Sequence, residues 1–397
     1  MNFLENGLLN LPWFGIIAIT LILTHITIAS VTIFLHRHQS HGSLSLHAIS
    51  SHFFRFWLWL TTGMVTKEWV AIHRKHHAKC ESKDDPHSPR IYGIKKLLLE
   101  GSELYRAEAK NPETMKNYGQ GTPDDWLERN VYSKYPFMGI MLMLVLNVAM
   151  FGVIGITVFA VQMLWIPVLA AGVINGIGHY LGYRNFETRD ASRNIVPWGI
   201  LIGGEELHNN HHAYATSARL SNKWWEFDIG WLYIKLMSYV GLAKVKKTAA
   251  KVRSHADKQL IDMDTLRALA KHRFHIVKMY GRKVIRPVIR EECRRANDYC
   301  QSLYRRVRKL MTREDIKLDE RALETIGEAV DRSKTLATVY EFKKNLVELW
   351  NTSVHNQAVR LERLQAWCVE AEKTGIEALA DFARFIRGYT EVRPAAA

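Results

Sequence analysis

The chain has 397 residues, 48% of them hydrophobic, which excludes a disordered polyelectrolyte and leaves room for more than one domain. Its net charge of +15 is unevenly held: beyond residue 243 there are 33 Lys and Arg against 21 Asp and Glu, so a uniformly basic surface is excluded. Four cysteines, Cys80, Cys293, Cys300 and Cys368, show no CxxC spacing, which argues against a disulfide framework or a zinc ribbon and fits a reducing compartment.

The opening residues, MNFLENGLLN, carry no positive region, and the apolar run behind them ends in His36-Arg37-His38 without a small-residue cleavage site. A retained transmembrane helix is expected, not a signal peptide. Residues 11–35 are apolar or hydroxylic apart from His25, and at the helical rise they exceed the roughly 30 Å of a bilayer's hydrocarbon core. His25, beside Thr24 and Thr27, reads as a hydrogen-bonded helix contact. Residues 53–66 are too short for a span and contain Arg55, so they predict an interfacial helix. Their aromatics Phe53, Phe54, Phe56, Trp57 and Trp59 read as an interfacial belt.

A polar, helix-capable segment over 93–135 predicts a cytoplasmic cap. Residues 136–181 are long enough for two spans, with Gly152 and Gly155 near the middle as the turn. From about 244 onward, segments 264–288, 299–312, 320–348 and 356–388 carry apolar residues at three- and four-residue spacing. They predict a soluble helical bundle. The fold class expected is therefore mainly α: residues 1–243 form a membrane domain with about three transmembrane helices plus an interfacial helix, and 244–397 form a basic, soluble helical domain.

Nine histidines stand in four clusters, His36/His41, His73/His76/His77, His179 and His208/His211/His212. With one crossing before His36 and two between His77 and His179, all four reach one face of the membrane. Arg74, Lys75, Lys79, Arg184, Arg189 and Arg193 beside them mark that face as cytoplasmic. On a helix each HxxHH forms a stripe about 100° wide, and Asn175 and His179, four apart, share a face. His36 and His41, five apart, diverge by about 140° on an unbroken α-helix, so the helix is expected to end there and let the two rings reach different ions. Four to five imidazoles fill one ion's shell, so nine imply two metals. Glu68, Asp84, Asp85, Glu187, Asp190, Glu205 and Glu206 are available to orient the rings. His87 is a further neighbour through Asp-Pro-His, whereas His38, His47 and His52 read as structural or surface residues.

The motifs H36-R-H-Q-S-H41, E68-W-V-A-I-H73-R-K-H76-H77, D85-P-H87, N175-G-I-G-H179-Y-L-G-Y183 and G204-E-E-L-H208-N-N-H211-H212 resemble the membrane fatty acyl desaturases, and most of all bacterial relatives of the stearoyl-CoA and acyl-lipid Δ9 desaturases. The resemblance covers about residues 10–243. It implies two iron ions held by the nine histidines, with Asn175 approaching one through water, and O2 as co-substrate. It also implies a cis double bond at carbon 9 of C16 or C18 chains on coenzyme A or phospholipid, in the bacterial inner membrane. By the same resemblance Trp69 shapes the kink of an acyl channel, and Thr24 and Ile28 close its far end.

Two features depart from that pattern: one apolar helix precedes the first histidine cluster where eukaryotic relatives have two, and the basic C-terminal region has no counterpart in them. No flavin, haem or iron–sulfur motif is present, so an external donor such as a ferredoxin, cytochrome or flavoprotein reductase is expected. A membrane di-iron hydroxylase of lipids or alkanes is the alternative. A metal transporter is disfavoured because the histidines gather at the ends of spans, not along them. The basic tail reads as a solvated helical surface or as a contact for membrane or electron donor. Nucleic acid is set aside because no DNA-binding motif accompanies the charge.

Overall fold

The computed structural model describes residues 3–249, 252–255, 258–313, 318–351 and 356–391; residues 1–2 and 392–397 of the two expected domains lie outside these. The chain divides into two units, one of residues 1–184 and 190–249, the other of residues 185–189 and 250–397. The first unit runs six residues past the boundary expected at 243, because Ala243–Val245 pairs antiparallel with Leu44–Leu46 and the Ala218 N–H donates to the Lys247 carbonyl.

In the first unit, α1 (Trp13–Ser30) continues without a break into a π-helical stretch, Val31–Ser40. The 28 residues include an 18-residue stretch of mean hydropathy 2.2 and reach about 42 Å at 1.5 Å per residue. Apolar surroundings leave the threonine hydroxyls no water, and they bond back along the helix: Thr20 to the Ile16 carbonyl at 2.7 Å and Thr24 to that of Thr20 at 3.0 Å. The exposed face carries Trp13, Phe14, Ile17, Leu21 and Ile22, an apolar surface suited to lipid. His25 does make a helix contact, 2.7 Å from the Tyr233 hydroxyl.

α2 (Ala48–Thr62) has 15 residues, about 22 Å, short of a bilayer core. Its Arg55 is buried, and its two terminal nitrogens pair with Asp125 at 2.5 Å and Glu128 at 3.0 Å. α3 (Thr66–Lys79) carries the second histidine cluster, and α4 (Ile94–Ala109) belongs to the polar segment that follows. α5 (Pro136–Phe151) and α6 (Gly155–Ile166) lie within the second apolar stretch, Pro136–His179, which contains an 18-residue run of mean hydropathy 2.4.

The chain reverses between α5 and α6. Gln162 donates to the Asn147 amide oxygen at 3.1 Å, and 15 residues of continuous helix would hold those side chains about 22 Å apart. Gly152, at φ 69°, supplies the turn, and a side chain at Gly155 would collide with the Asn147 backbone. The Leu8 and Leu9 N–H groups donate to Ala149 and Met150 carbonyls at 3.0 Å. The start of α1 and the hairpin turn are thus at one end of the unit, and His36 and His179 close the opposite ends of the same segments.

α7 (His208–Ala213) and α8 (Ile229–Tyr239) complete the unit. Arg37, wholly buried, pins both to α1: its guanidinium donates to both Asp228 carboxylate oxygens at 2.9 and 3.2 Å and to the Gly203 and Ala218 carbonyls at 2.9 Å. The Asp228 carboxylate in turn caps α8 at the Trp231 N–H.

The second unit is helical, with α9 (Met263–Lys271), α10 (Arg286–Arg295), α11 (Asp298–Leu310), α12 (Glu320–Arg332), α13 (Lys334–Asn351), α14 (Gln357–Lys373) and α15 (Glu377–Arg387). It has a core of its own, including Ile276, Tyr280, Leu303, Leu336, Leu364 and Phe382. Segments 320–348 and 356–388 each divide in two, at Ser333, whose hydroxyl caps α13 through the Leu336 N–H, and at Gly375 with φ 72°.

Candidate metal centre

The nine histidines converge. Nitrogen atoms of His36, His41, His73, His77 and His211 lie within 4.8 Å of one another, and those of His76, His179, His208 and His212 do likewise. Each HxxHH helix therefore feeds both groups. His36 and His41 join the same group, contrary to the expected divergence, because the chain between them is π-helical. Closure between residues five apart brings the rings to 4.9 Å between centroids.

Four carboxylates orient the rings from behind. Nδ1 of His36 donates to Glu205 at 2.7 Å, that of His76 to Asp85 at 2.9 Å, that of His212 to Asp190 at 3.0 Å and that of His179 to Glu81 at 3.4 Å. Burial pushes these acids upward, but the adjacent imidazoles outweigh it and hold Asp85, Asp190, Glu205 and Glu81 below the ordinary carboxylate range. Burial, reinforced by neighbouring rings, pushes His41, His73, His77, His208 and His211 well below the ordinary imidazole value, so these rings are neutral at neutral pH.

A ring whose Nδ1 carries the proton presents a bare lone pair at Nε2. His179 and His212 both turn such lone pairs on Nε2 of His208, at 3.0 and 3.1 Å, and His208 has at most one proton there to share. In the other group Nε2 of His211 faces Nε2 of His36 at 3.0 Å and of His77 at 2.8 Å. Metal–imidazole bonds of about 2.1 Å at right angles set neighbouring nitrogens about 3.0 Å apart. Converging lone pairs at that spacing, neutral rings and anionic carboxylates behind them fit two divalent cations.

Of the acids named from sequence, Asp85, Asp190 and Glu205 serve the rings. Glu206 instead accepts the Ile202 and Gly204 N–H groups, and Asp84 pairs with Lys79 at 3.6 Å. Glu81 was not anticipated. It sits just past α3 at φ 60°, a left-handed conformation costly for a residue with a Cβ and typical of functional positions. His87 stacks on His76 at 4.4 Å between centroids, and its backbone N–H donates to Asp85. Asn175 ends the π-helical stretch Pro167–Ile174, four residues before His179, and its carboxamide forms no hydrogen bond among the described residues. Trp69 stacks on His73 at 4.9 Å and 15° and shares an apolar cluster with Ile28, Phe34, Leu58 and Trp165. Thr24 is buried one turn before Ile28.

A fatty acid desaturase family model matches residues 11–233, more than half of the chain. Among curated relatives, the Delta-9 acyl-lipid desaturase 1 of Arabidopsis thaliana is 29% identical over 222 residues, 54% of this chain and 69% of that protein. The sn-1 stearoyl-lipid 9-desaturase of Synechocystis is 30% identical over 54% of this chain and 66% of its own length. An acyl-CoA 5-desaturase of Anemone leveillei is 31% identical over 56% and 68%. A second family model, described as transposase, matches residues 269–392.

Proposed function

Since the chain belongs to the fatty acid desaturase family, we propose that this oxidoreductase uses two iron ions and O2 to place a cis double bond at carbon 9 of saturated C16 and C18 acyl chains. The observation that carries the reading is the convergence of nine imidazoles into groups of five and four, backed by four carboxylates. Bound there, two irons would supply the redox chemistry that lets O2 accept electrons. O2 takes four electrons and four protons and leaves as two waters: the two hydrogens removed from the substrate's adjacent methylenes supply two of each, and an external donor and the solvent supply the other two electrons and two protons. The donor is a ferredoxin, cytochrome or flavoprotein reductase.

The chain's own residues fix the geometry. His36, His41, His73, His77 and His211 would hold one iron, and His76, His179, His208 and His212 the other, with Asn175 reaching it through water. Glu205, Asp85, Asp190 and Glu81 keep the rings in the tautomer that presents Nε2. Trp69 forms the wall of the acyl path where it leans on His73, and Thr24 and Ile28 stop its far end. Position 9 is favoured by the names of the Arabidopsis and Synechocystis relatives; the relatives named include both acyl-lipid and acyl-CoA enzymes, so the carrier is either phospholipid or coenzyme A.

In the membrane, α1 crosses once and Pro136–His179 crosses twice, while α2 lies at the interface. This arrangement puts the centre and the second unit on the cytoplasmic side of a bacterial inner membrane. It is supported by the Arg and Lys residues around the histidines and by the shared end of the unit at which His36 and His179 lie.

The test is expression in a host that makes no unsaturated fatty acids, followed by lipid analysis after feeding labelled stearoyl-CoA and labelled phospholipid separately. Cis-9 monoenes are expected, and neither His77→Ala nor His211→Ala yields them although both insert in the membrane. Hydroxylated acids, or unchanged lipids with iron and a working donor present, would overturn the proposal.

A further inference from the structure

The second unit concentrates its charge. Residues 282–313 hold eleven Lys and Arg, nine of them arginine, against three acids, a net +8 in 32 residues. α10 and α11 pack on each other, joined by a two-residue turn in which Asn297 caps α11 through the Cys300 N–H at 3.0 Å. Val288, Ile289, Leu303 and Val307 fill the inner faces, so the cations are forced outward. Arg282, Arg286, Arg290, Arg294, Arg306 and Arg308 are exposed and take part in no ion pair among the described residues.

This arrangement opposes helix stability. Arg286, Arg290 and Arg294 follow one another at four-residue spacing, where like charges repel, and the acids on the helix do little to offset them: Glu291 pairs with Arg295 and Glu292 accepts from the Ser333 hydroxyl. A surface anion would relieve the repulsion. Arginine in place of lysine matches phosphate oxygens, which the planar guanidinium engages with two parallel bonds.

We propose that the α10–α11 hairpin is a docking surface for an anionic membrane, engaging the phosphates of acidic phospholipids. The occupant follows from the rest of the chain. Its first unit carries two apolar segments long enough to span a bilayer, so the hairpin is tethered to lipid and meets it as an intramolecular partner. Clusters of four or more basic residues held near a membrane are drawn to anionic headgroups, each adding about fivefold to the equilibrium. The hairpin also lies within the stretch that matches the transposase family, and a nucleic-acid duplex is therefore the alternative that the test must separate.

The full chain is placed in nanodiscs of phosphatidylcholine, with or without phosphatidylglycerol, and treated with phenylglyoxal, which modifies free guanidinium groups; mass spectrometry reads the rate at each arginine. Phosphatidylglycerol is expected to slow modification of Arg286, Arg290 and Arg294 by about fivefold or more. Arg363, exposed on α14, keeps its rate, and salt at about 0.5 M abolishes the protection. The triple substitution Arg286→Gln, Arg290→Gln and Arg294→Gln, all at exposed sites, restores the reactivity of Arg305 and Arg306 in the anionic discs. Equal rates in both lipids, or protection of Arg363 to the same extent, overturns the proposal. So does protection that appears only when a DNA or RNA duplex is added to neutral discs, which would make the hairpin a nucleic-acid surface.

Discussion

Replacing Glu205 by Gln removes one negative charge behind the five-histidine group and leaves the shape of the side chain nearly unchanged. The carboxylate accepts from His36 Nδ1 at 2.7 Å and from the Thr32 hydroxyl at 2.5 Å. Both bonds reach the same oxygen, Oε1, so an amide oxygen there can keep them, but the imidazole loses the anionic partner that raises its basicity. Loss of such a partner weakens metal binding by about 10–100-fold, or about 1.4–2.7 kcal/mol. The adjacent Glu206 is an internal control: it is equally buried but bonds only to the Ile202 and Gly204 N–H groups, and burial raises its pKa, so Glu206→Gln changes little charge near the ions. Iron per chain is measured after equilibrium dialysis against graded chelator, with circular dichroism confirming helix content. The expected result is a 10–100-fold weaker affinity for Glu205→Gln and a change within about twofold for Glu206→Gln. Wild-type affinity in the first variant, or equal losses in both, would refute the assignment of the carboxylate's role.

Arg37→Met leaves Asp228 as an uncompensated buried charge and should lower stability by about 3–5 kcal/mol, read by thermal unfolding in detergent; the double variant with Asp228→Leu should recover much of that loss, and no recovery would mean the pair is not the cause. Gly155→Ala forces the α5–α6 hairpin apart at the Asn147 backbone and should cost about 1–3 kcal/mol, seen as a lower yield of folded protein in membranes. In the metal-free protein, burial outweighs the help of Asp190 and brings His212 down to about 4, while the unfolded chain holds the same ring near 6.5. Unfolded chains then bind more protons between those values, so apo-protein stability should fall as pH drops from about 6.5 toward about 4. A melting temperature that stays flat across that interval would contradict the burial of a neutral ring.

The histidines were legible because their chemistry lies in helical spacing: an HxxHH stripe points one way wherever its helix sits. The hairpin at Gly152 was legible for a similar reason, since a 44-residue apolar run must fold back and glycine marks where. The backs of the rings were not. Glu205 and Glu206 are neighbours of the same chemical type, and only the loop at Ile202–Gly204 decides which one meets His36. Glu81 reaches His179 from a left-handed residue, a conformation that no side-chain pattern announces. Helix breaks at Ser333 and Gly375 were missed because the apolar periodicity continues across them.

The grouping of His36 with His41 shows where spacing stops being a guide. At 100° per residue the two rings diverge by about 140°, and that angle argues for two different ions. The angle holds only while each N–H bonds four residues back. From Val31 to Ser40 the closure is five residues long, and a separation of five then becomes one turn. His36 thereby faces Nε2 of His211, and His41 faces Nε2 of His73 at 2.9 Å. Between the two histidines, Arg37 is held by Asp228 and two carbonyls. One local change in helix type thus places two ligands in a single group, and the intervening arginine anchors the turn.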